Sequence, residues 1–309
     1  MDKRASAAAE MHYLKSLQAG DIAYLWPAAS LQAHRLLHDR GFRIVLEGIN
    51  TRMSSAKRVL DDAYRQINLP PAHGITEERI AEEEEKLALA SAIFAPSPAV
   101  ERALTGSPLD PDGVISASYG TDIPDWSRSE KDETGALRVL FVGYACVRKG
   151  VHVLLQAWNE ARVKGELIIA GAIEPAVRRH CAHLLDNPSV RTLGFIRDVR
   201  SLYRSADIFV LPSFEEGDPL VTYEAAAHEL PLVVSFHGAG RLGSRGDSVC
   251  LIDEHDAASL VHALRGLAND AEMRIDAGRR ARSAVEDFRW SAVGARRARA
   301  LAACLSQPK

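Results

Sequence analysis

Glu216 and Glu224 stand eight positions apart in the run Ser213-Phe214-Glu215-Glu216-Gly217-Asp218-Pro219-Leu220-Val221-Thr222-Tyr223-Glu224, directly after an apolar segment. That spacing puts one carboxylate in a loop and the other about a turn into the following helix. An ionised carboxylate accepts hydrogen bonds through two oxygens, so it suits the vicinal hydroxyls of a ribose or a hexose. The plainer reading of Glu224 is charge compensation at a helix N-terminus. Lys149, ahead of Gly150, is a compact cation of the kind that suits phosphate. Its plainer reading is an exposed lysine before a helix.

Other candidates carry less. His237-Gly238-Ala239-Gly240-Arg241-Leu242-Gly243 spells G-x-G-x-x-G after a strand. Turn-forming Ser244-Arg245-Gly246-Asp247-Ser248 follows it, so no helix N-terminus is expected to receive a pyrophosphate, and the dinucleotide reading of an NAD-dependent oxidoreductase is rejected. Gly238 and Gly240 are instead expected in a flexible loop that brings backbone N–H groups to a ligand, or in a simple surface turn. Asp110-Pro111-Asp112 has the spacing of a metal-binding pair but reads as a turn. His180 and His183 lack a third ligand, so no metal site is expected. Glu82 to Glu85 read as a solvated helix face.

From residue 137 onward, apolar β-rich runs at 137–142, 167–170, 190–195, 208–212, 232–236 and 249–252 alternate with amphipathic stretches. This is the pattern of βα units that build a parallel sheet covered on both faces. Val151, Leu154, Leu155 and Trp158 form a helical stripe, and helices are also expected over 257–268, 272–285 and 291–305. The first half offers strands at 22–26, 44–47, 93–95 and 114–118 and a helix over 76–90. Residues 122–135, rich in Pro, Asp, Ser and Gly, read as a linker.

The 309 residues, 47% hydrophobic, are enough for two cores. A net charge of −3 gives no general attraction to nucleic acid or anionic lipid. Cys146, Cys181, Cys250 and Cys304 form no C-x-x-C pair, which fits a reducing, cytoplasmic setting. The first residues lack the apolar core of a signal peptide, and no run approaches a transmembrane span.

The chain resembles the retaining GT-B glycosyltransferases of glycosyltransferase family 4, with their Glu-x7-Glu motif. Glu216 and Glu224 carry the likeness, with Phe141-Val142-Gly143, Arg148-Lys149-Gly150, Tyr203-Arg204-Ser205-Ala206-Asp207-Ile208-Phe209-Val210-Leu211-Pro212-Ser213 and Leu230-Pro231-Leu232-Val233-Val234-Ser235. The resemblance implies an α/β fold of two Rossmann-like domains facing a cleft. Residues 1–125 would be a shortened acceptor-side domain, 126–290 the nucleotide-sugar-binding domain, and 291–309 a helix crossing back to the first. It implies Glu224 on the donor ribose, Glu216 by the donor sugar, Lys149 on the diphosphate, and Gly143, Gly217, Gly238 and Gly240 lining the site. The implied partners are a nucleotide-sugar donor and a glycan or lipid-linked acceptor of polysaccharide biosynthesis, with no cofactor, metal or nucleic acid; peripheral membrane contact is left open.

Departures from the family pattern are local. Tyr144 stands where an arginine is usual, and Asp218-Pro219 where an aromatic and a glycine are usual. The first strand with its glycine loop and a cleft-facing histidine are not visible, with Asn50 and Arg52 near the latter's place. Absence of the first βαβ unit would leave strand 22–26 with an unpaired edge. The alternative expectation is therefore a catalytically inactive sugar-nucleotide-binding protein, or the product of a truncated gene or a late start codon.

Overall fold

A computed structural model describes residues 3–125 and 136–306. Most of the expected linker, 126–135, and with it the expected domain boundary, lies outside the described residues.

Four parallel strands make the first sheet: β1 (Ile22–Leu25), β2 (Arg43–Glu47), β3 (Ala92–Ala95) and β4 (Val114–Ser116), neighbours in space in the order of the chain. Around them lie α1 (Lys3–Ser16), α2 (Leu31–Asp39), α3 (Met53–Gln66), α4 (Glu77–Leu89) and α5 (Pro98–Leu104). Local chemistry sets several helix starts, because a hydroxyl can take one of the N–H groups that the first turn leaves unpaired. Ser30 accepts from Ala33 N, Thr76 from Arg79 N, and Ser97, before a Pro at the first helical position, from Val100 N.

Strand β1 is the sheet edge, as expected, but its middle is covered. The Tyr13 hydroxyl of α1 accepts from Tyr24 N at 2.9 Å and donates to Tyr24 O at 3.2 Å, standing in for a missing strand. The acidic run corrects a second expectation, since three of its members are tied down in the fold. Glu83 accepts from Met53 N at the start of α3, while Glu84 and Glu85 grip the forks of Arg52 and Arg35.

Six parallel strands make the second sheet: β5 (Leu137–Val142), β6 (Gly165–Ala170), β7 (Val190–Gly194), β8 (Ile208–Leu211), β9 (Leu232–Val234) and β10 (Cys250–Leu251), in the order β10-β9-β8-β5-β6-β7. Its helices are α6 (Val151–Ala161), α7 (Pro175–His180), α8 (Ala182–Leu185), α9 (Arg200–Ser205), α10 (Leu220–Ala227), α11 (Phe236–Ala239), α12 (Ala257–Asn269) and α13 (Ala271–Val285); α14 (Trp290–Ser306) follows. The predicted stripe of α6 is buried in the core. Strand order reverses between β5 and β8, where the outgoing loops diverge and open a crevice at the carboxyl ends.

The first sheet keeps an apolar cluster of its own, but Leu60, Ala63 and Tyr64 of α3 join the cluster of the second sheet and so bind the halves together. Helix α14 returns to the first sheet, where Ala300, Leu301 and Cys304 pack on Val45, Ala92, Phe94 and Ile115. Of its arginines, Arg297 pairs with the buried Glu47 and lies 4.1 Å over the Phe94 ring.

Candidate active site at the strand tips

The loops after β5 and β8 bring together two of the residues singled out by sequence. Gly143 ends β5 with φ 138°, and a Cβ there would come within 3.2 Å of Lys149 Cδ, so the missing side chain makes room for the lysine stem. A 3-10 turn over Val147–Lys149 then runs into Gly150, whose left-handed backbone approaches Pro212 so closely that a Cβ would sit 1.9 Å from its carbonyl oxygen. The two loops are thus locked together, and Phe214 N donates to Arg148 O at 2.9 Å.

In this setting Lys149 Nζ forms an ion pair with Glu216 Oε1, and both side chains are about nine-tenths buried, at 12% and 8% exposure. Ser213 Oγ donates to the same oxygen at 3.0 Å, and Arg148 Nη1 reaches Glu216 Oε2 at 3.3 Å. Burial by itself would raise the Glu216 carboxyl; Lys149 and Arg148 more than offset this and hold it below its ordinary value. Removing one partner from such a buried pair costs about 3–5 kcal/mol, because the other charge is left uncompensated.

Glu224 sits apart from this pair. It lies a turn into α10, half-buried, and its Oε2 accepts from the Tyr203 hydroxyl at 2.8 Å; among the described residues no hydrogen bond or ion pair links it to Lys149 or Glu216. Tyr203, buried on α9, stacks on His228 at 5.3 Å, which fixes the hydroxyl that orients Glu224.

The glycines act by allowing close approach. A Cβ on Gly217 would lie 1.9 Å from Ile49 O, one on Gly238 2.1 Å from Leu211 O, and one on Gly240 2.3 Å from Asp218 Oδ1. The expected flexible loop at 238–243 is helical instead. Ser235 caps α11 by accepting from Gly238 N, ending β9 two residues early, and a 3-10 segment follows over Gly240–Ser244. Gly238 and Gly240 are both buried.

Sequence reading missed the residues that join the halves. Glu215, next to Glu216, is buried; its Oε1 accepts from Thr51 N and Oγ1, and its Oε2 from Arg148. Asp218, at the departure from the family pattern, accepts from Tyr119 N at 2.8 Å, Tyr223 OH at 2.6 Å and Arg241 N at 3.1 Å. Burial pushes its carboxyl up to about 7 against the lowering effect of those donors. Glu174 takes the Tyr64 hydroxyl at 2.8 Å and Val147 N at 3.0 Å. Arg241 reaches across to Ala95 O, Ala117 O and Glu101. The only signal for Glu215 and Asp218 was a concentration of acids near a loop, which does not say what they face.

Of the remaining candidates, Arg52 is held by Glu84 and Asn50 lies exposed in the β2–α3 loop against Gly217. Asp110 caps its own turn by accepting from Asp112 N at 3.0 Å. Tyr144, in place of the usual arginine, is 49% exposed.

A parallel sheet with its reversal at β5/β8, and a buried lysine–carboxylate pair in that crevice, invite comparison with proteins that bind nucleotides there. Residues 136–270 match the family described as Glycosyl transferases group 1. This stretch is similar to that family. The matched stretch contains Lys149, Glu216 and Glu224. The chain is 29% identical over 206 residues to the D-inositol 3-phosphate glycosyltransferase of Paenarthrobacter aurescens (strain TC1), covering 60% of this chain and 50% of that protein. It is 27% identical over 154 residues to the capsular polysaccharide biosynthesis glycosyltransferase CapM of Staphylococcus aureus, covering 48% and 40%. The chain thus spans about half the length of these curated relatives, or less.

Beyond the matched stretch, the likeness extends to the whole fold. Sucrose-phosphate synthase from Thermosynechococcus elongatus matches with a TM-score of 0.67 at 21% identity, over 89% of this chain and 77% of that one. HepE of Anabaena in complex with UDP matches with a TM-score of 0.72 at 16% identity, over 96% and 81%. The architecture is GT-B, two Rossmann-like halves, with a four-stranded first sheet. Among the described residues no helix is long and apolar enough to cross a membrane.

Proposed function

We propose that the protein transfers a sugar from a nucleoside-diphosphate sugar, with retention of anomeric configuration and without a bound metal, to a glycan or lipid-linked acceptor. The observation that carries the reading is the Lys149–Glu216 pair at the β5/β8 reversal within the matched stretch. HepE, a structural neighbour, was solved with UDP, which supports a nucleotide as the donor's handle.

In this reading the donor diphosphate meets Lys149 Nζ. Arg148 remains on Glu216, so the lysine can turn part of its charge to phosphate without stranding the buried carboxylate. As the bond between the sugar and the diphosphate breaks, charge builds on the leaving oxygen and the ammonium stabilises it. Glu216 receives sugar hydroxyls, Glu224 receives the ribose diol, and Gly143 and Gly217 keep the walls free of side chains. The acceptor enters from the side of the first sheet, past Asn50.

The test is incubation with a panel of nucleoside-diphosphate sugars, following released nucleoside diphosphate. Turnover of at least one donor, abolished in Lys149→Ala, is the expected result. Nucleotide binding with no turnover across the panel and a range of glycan acceptors would sink the catalytic reading and leave a binding protein.

A further inference from the structure

A second cationic site lies away from the donor crevice. The end of β4, the 3-10 segment after α11 and helix α14 enclose a cavity of about 170 Å³. At ~30 Å³ per water this holds about six waters, room for a phosphate group and a small substituent. Arg241, Arg245, Arg296 and Arg297 all line it, Phe288 and Ser118 contribute to its wall, and no carboxylate does.

The four arginines divide into two kinds. Arg241 and Arg297 are pinned: the first by Glu101 and the carbonyls of Ala95 and Ala117, the second by Glu47, Tyr24 and Ser118 O. Arg245 has a looser partner, Asp287 at 3.2 Å, with both side chains well exposed. Arg296 has no hydrogen bond or ion pair among the described residues and stands 5.8 Å over the Phe288 ring, which Arg245 also overlies at 5.4 Å. Two forks therefore keep donors available at the mouth of a cavity whose deeper guanidiniums, Arg241 and Arg297, are already neutralised by Glu101 and Glu47. Arg245, with only an exposed partner, and Arg296 both face the cavity, and the planar guanidinium matches phosphate oxygens in pairs.

We infer that this cavity binds a phosphate-class anion, held by Arg245 and Arg296. The site touches Ser118 at the end of the first sheet, Arg241 beside the second and Arg297 on the returning helix, so an occupant would tie all three together and stabilise this arrangement of the halves. None of Lys149, Glu216 and Glu224 lines it, and it stands whether or not the donor reading does.

The experiment titrates the full chain with inorganic phosphate at constant ionic strength, set with chloride, and follows thermal unfolding, since a ligand that binds only the folded state raises the Tm. Arg296→Gln and Arg245→Gln remove one fork each. Arg299→Gln removes an exposed charge from the same helix, and Lys149→Ala removes phosphate contact in the donor crevice. The expected result is a phosphate-dependent rise in Tm that persists in Arg299→Gln and Lys149→Ala and weakens in apparent affinity at least about tenfold in Arg296→Gln. Arg245 is exposed, so Arg245→Gln reads the same loss should Arg296→Gln not fold. Equal responses in wild type, Arg245→Gln and Arg296→Gln, or no response in wild type, would overturn the inference. Sedimentation with phosphatidylglycerol vesicles separates the sources: pelleting that inorganic phosphate reverses and Arg296→Gln lacks assigns the phosphate to a lipid headgroup, and its absence assigns it to a soluble molecule.

Discussion

Thr51 donates twice to one oxygen of Glu215, from its backbone N at 3.0 Å and from its hydroxyl at 2.9 Å, and so anchors the first half of the chain to the loop that carries Glu216. Both residues are buried, so neither bond exchanges readily with water. In Thr51→Val the shape is kept and the hydroxyl is lost. The expected cost is about 1–3 kcal/mol, since a buried carboxylate loses a donor while Arg148 and the Thr51 N–H remain. Urea unfolding reads it, and an unchanged midpoint would show that the contact carries no stability.

Gly217 makes a second close approach in the same loop. A Cβ there would meet Ile49 O at 1.9 Å, well inside contact distance, and the obstacle is backbone that cannot swing aside. Gly217→Ala is expected to push the halves apart, destabilising by about 1–3 kcal/mol or more and increasing the radius of gyration in small-angle scattering. A variant as stable and as compact as wild type would contradict this packing.

Lys149 and Glu224 should separate by ligand. If Lys149 meets the diphosphate and Glu224 the ribose, Lys149→Ala weakens binding of a nucleoside diphosphate but not of the nucleoside. Glu224→Ala weakens both, at least about tenfold for the diphosphate, or about 1.4 kcal/mol. Calorimetry distinguishes the two patterns. Unchanged affinity in Glu224→Ala removes the ribose assignment and leaves Glu224 as the partner of Tyr203 alone.

His152 predicts the acid limb of stability. It stacks on Phe214 at 5.6 Å inside the core, and burial, with His180 adding to it, pushes its pKa down to about 4. The unfolded chain takes up a proton near pH 6.5 and the folded chain does not until about pH 4, so this stability is complete above 6.5 and is lost as pH falls between those values. The loss is on the order of 1–2 kcal/mol by pH 5. His152→Phe should narrow the difference in Tm between pH 7 and pH 5. His34, His228 and His237, also lowered by burial, keep part of it. An identical pH profile in the variant would assign the acid limb to other groups.

Every strand read from the sequence exists, within two residues at its ends, because buried parallel strands are written as unbroken Val/Ile/Leu runs and their boundaries as turn residues. Lys149, Glu216 and Glu224 were legible for a similar reason: their types and spacing follow strands whose tips face a crevice. Local sequence therefore determined which elements form and which side chains stand at their ends. What it left open is who meets whom across distances of 100 residues and more. Glu215 and Glu216 are the same residue type side by side, yet one anchors the first half through Thr51 and the other holds Lys149. The acidic run on α4 likewise looked like solvated charge until packing gave its members partners. A charge's neighbours depend on how sheets and helices come together, and that depends on the whole buried surface, so only the tertiary structure decided which charges face water, which join the halves and which line a cavity.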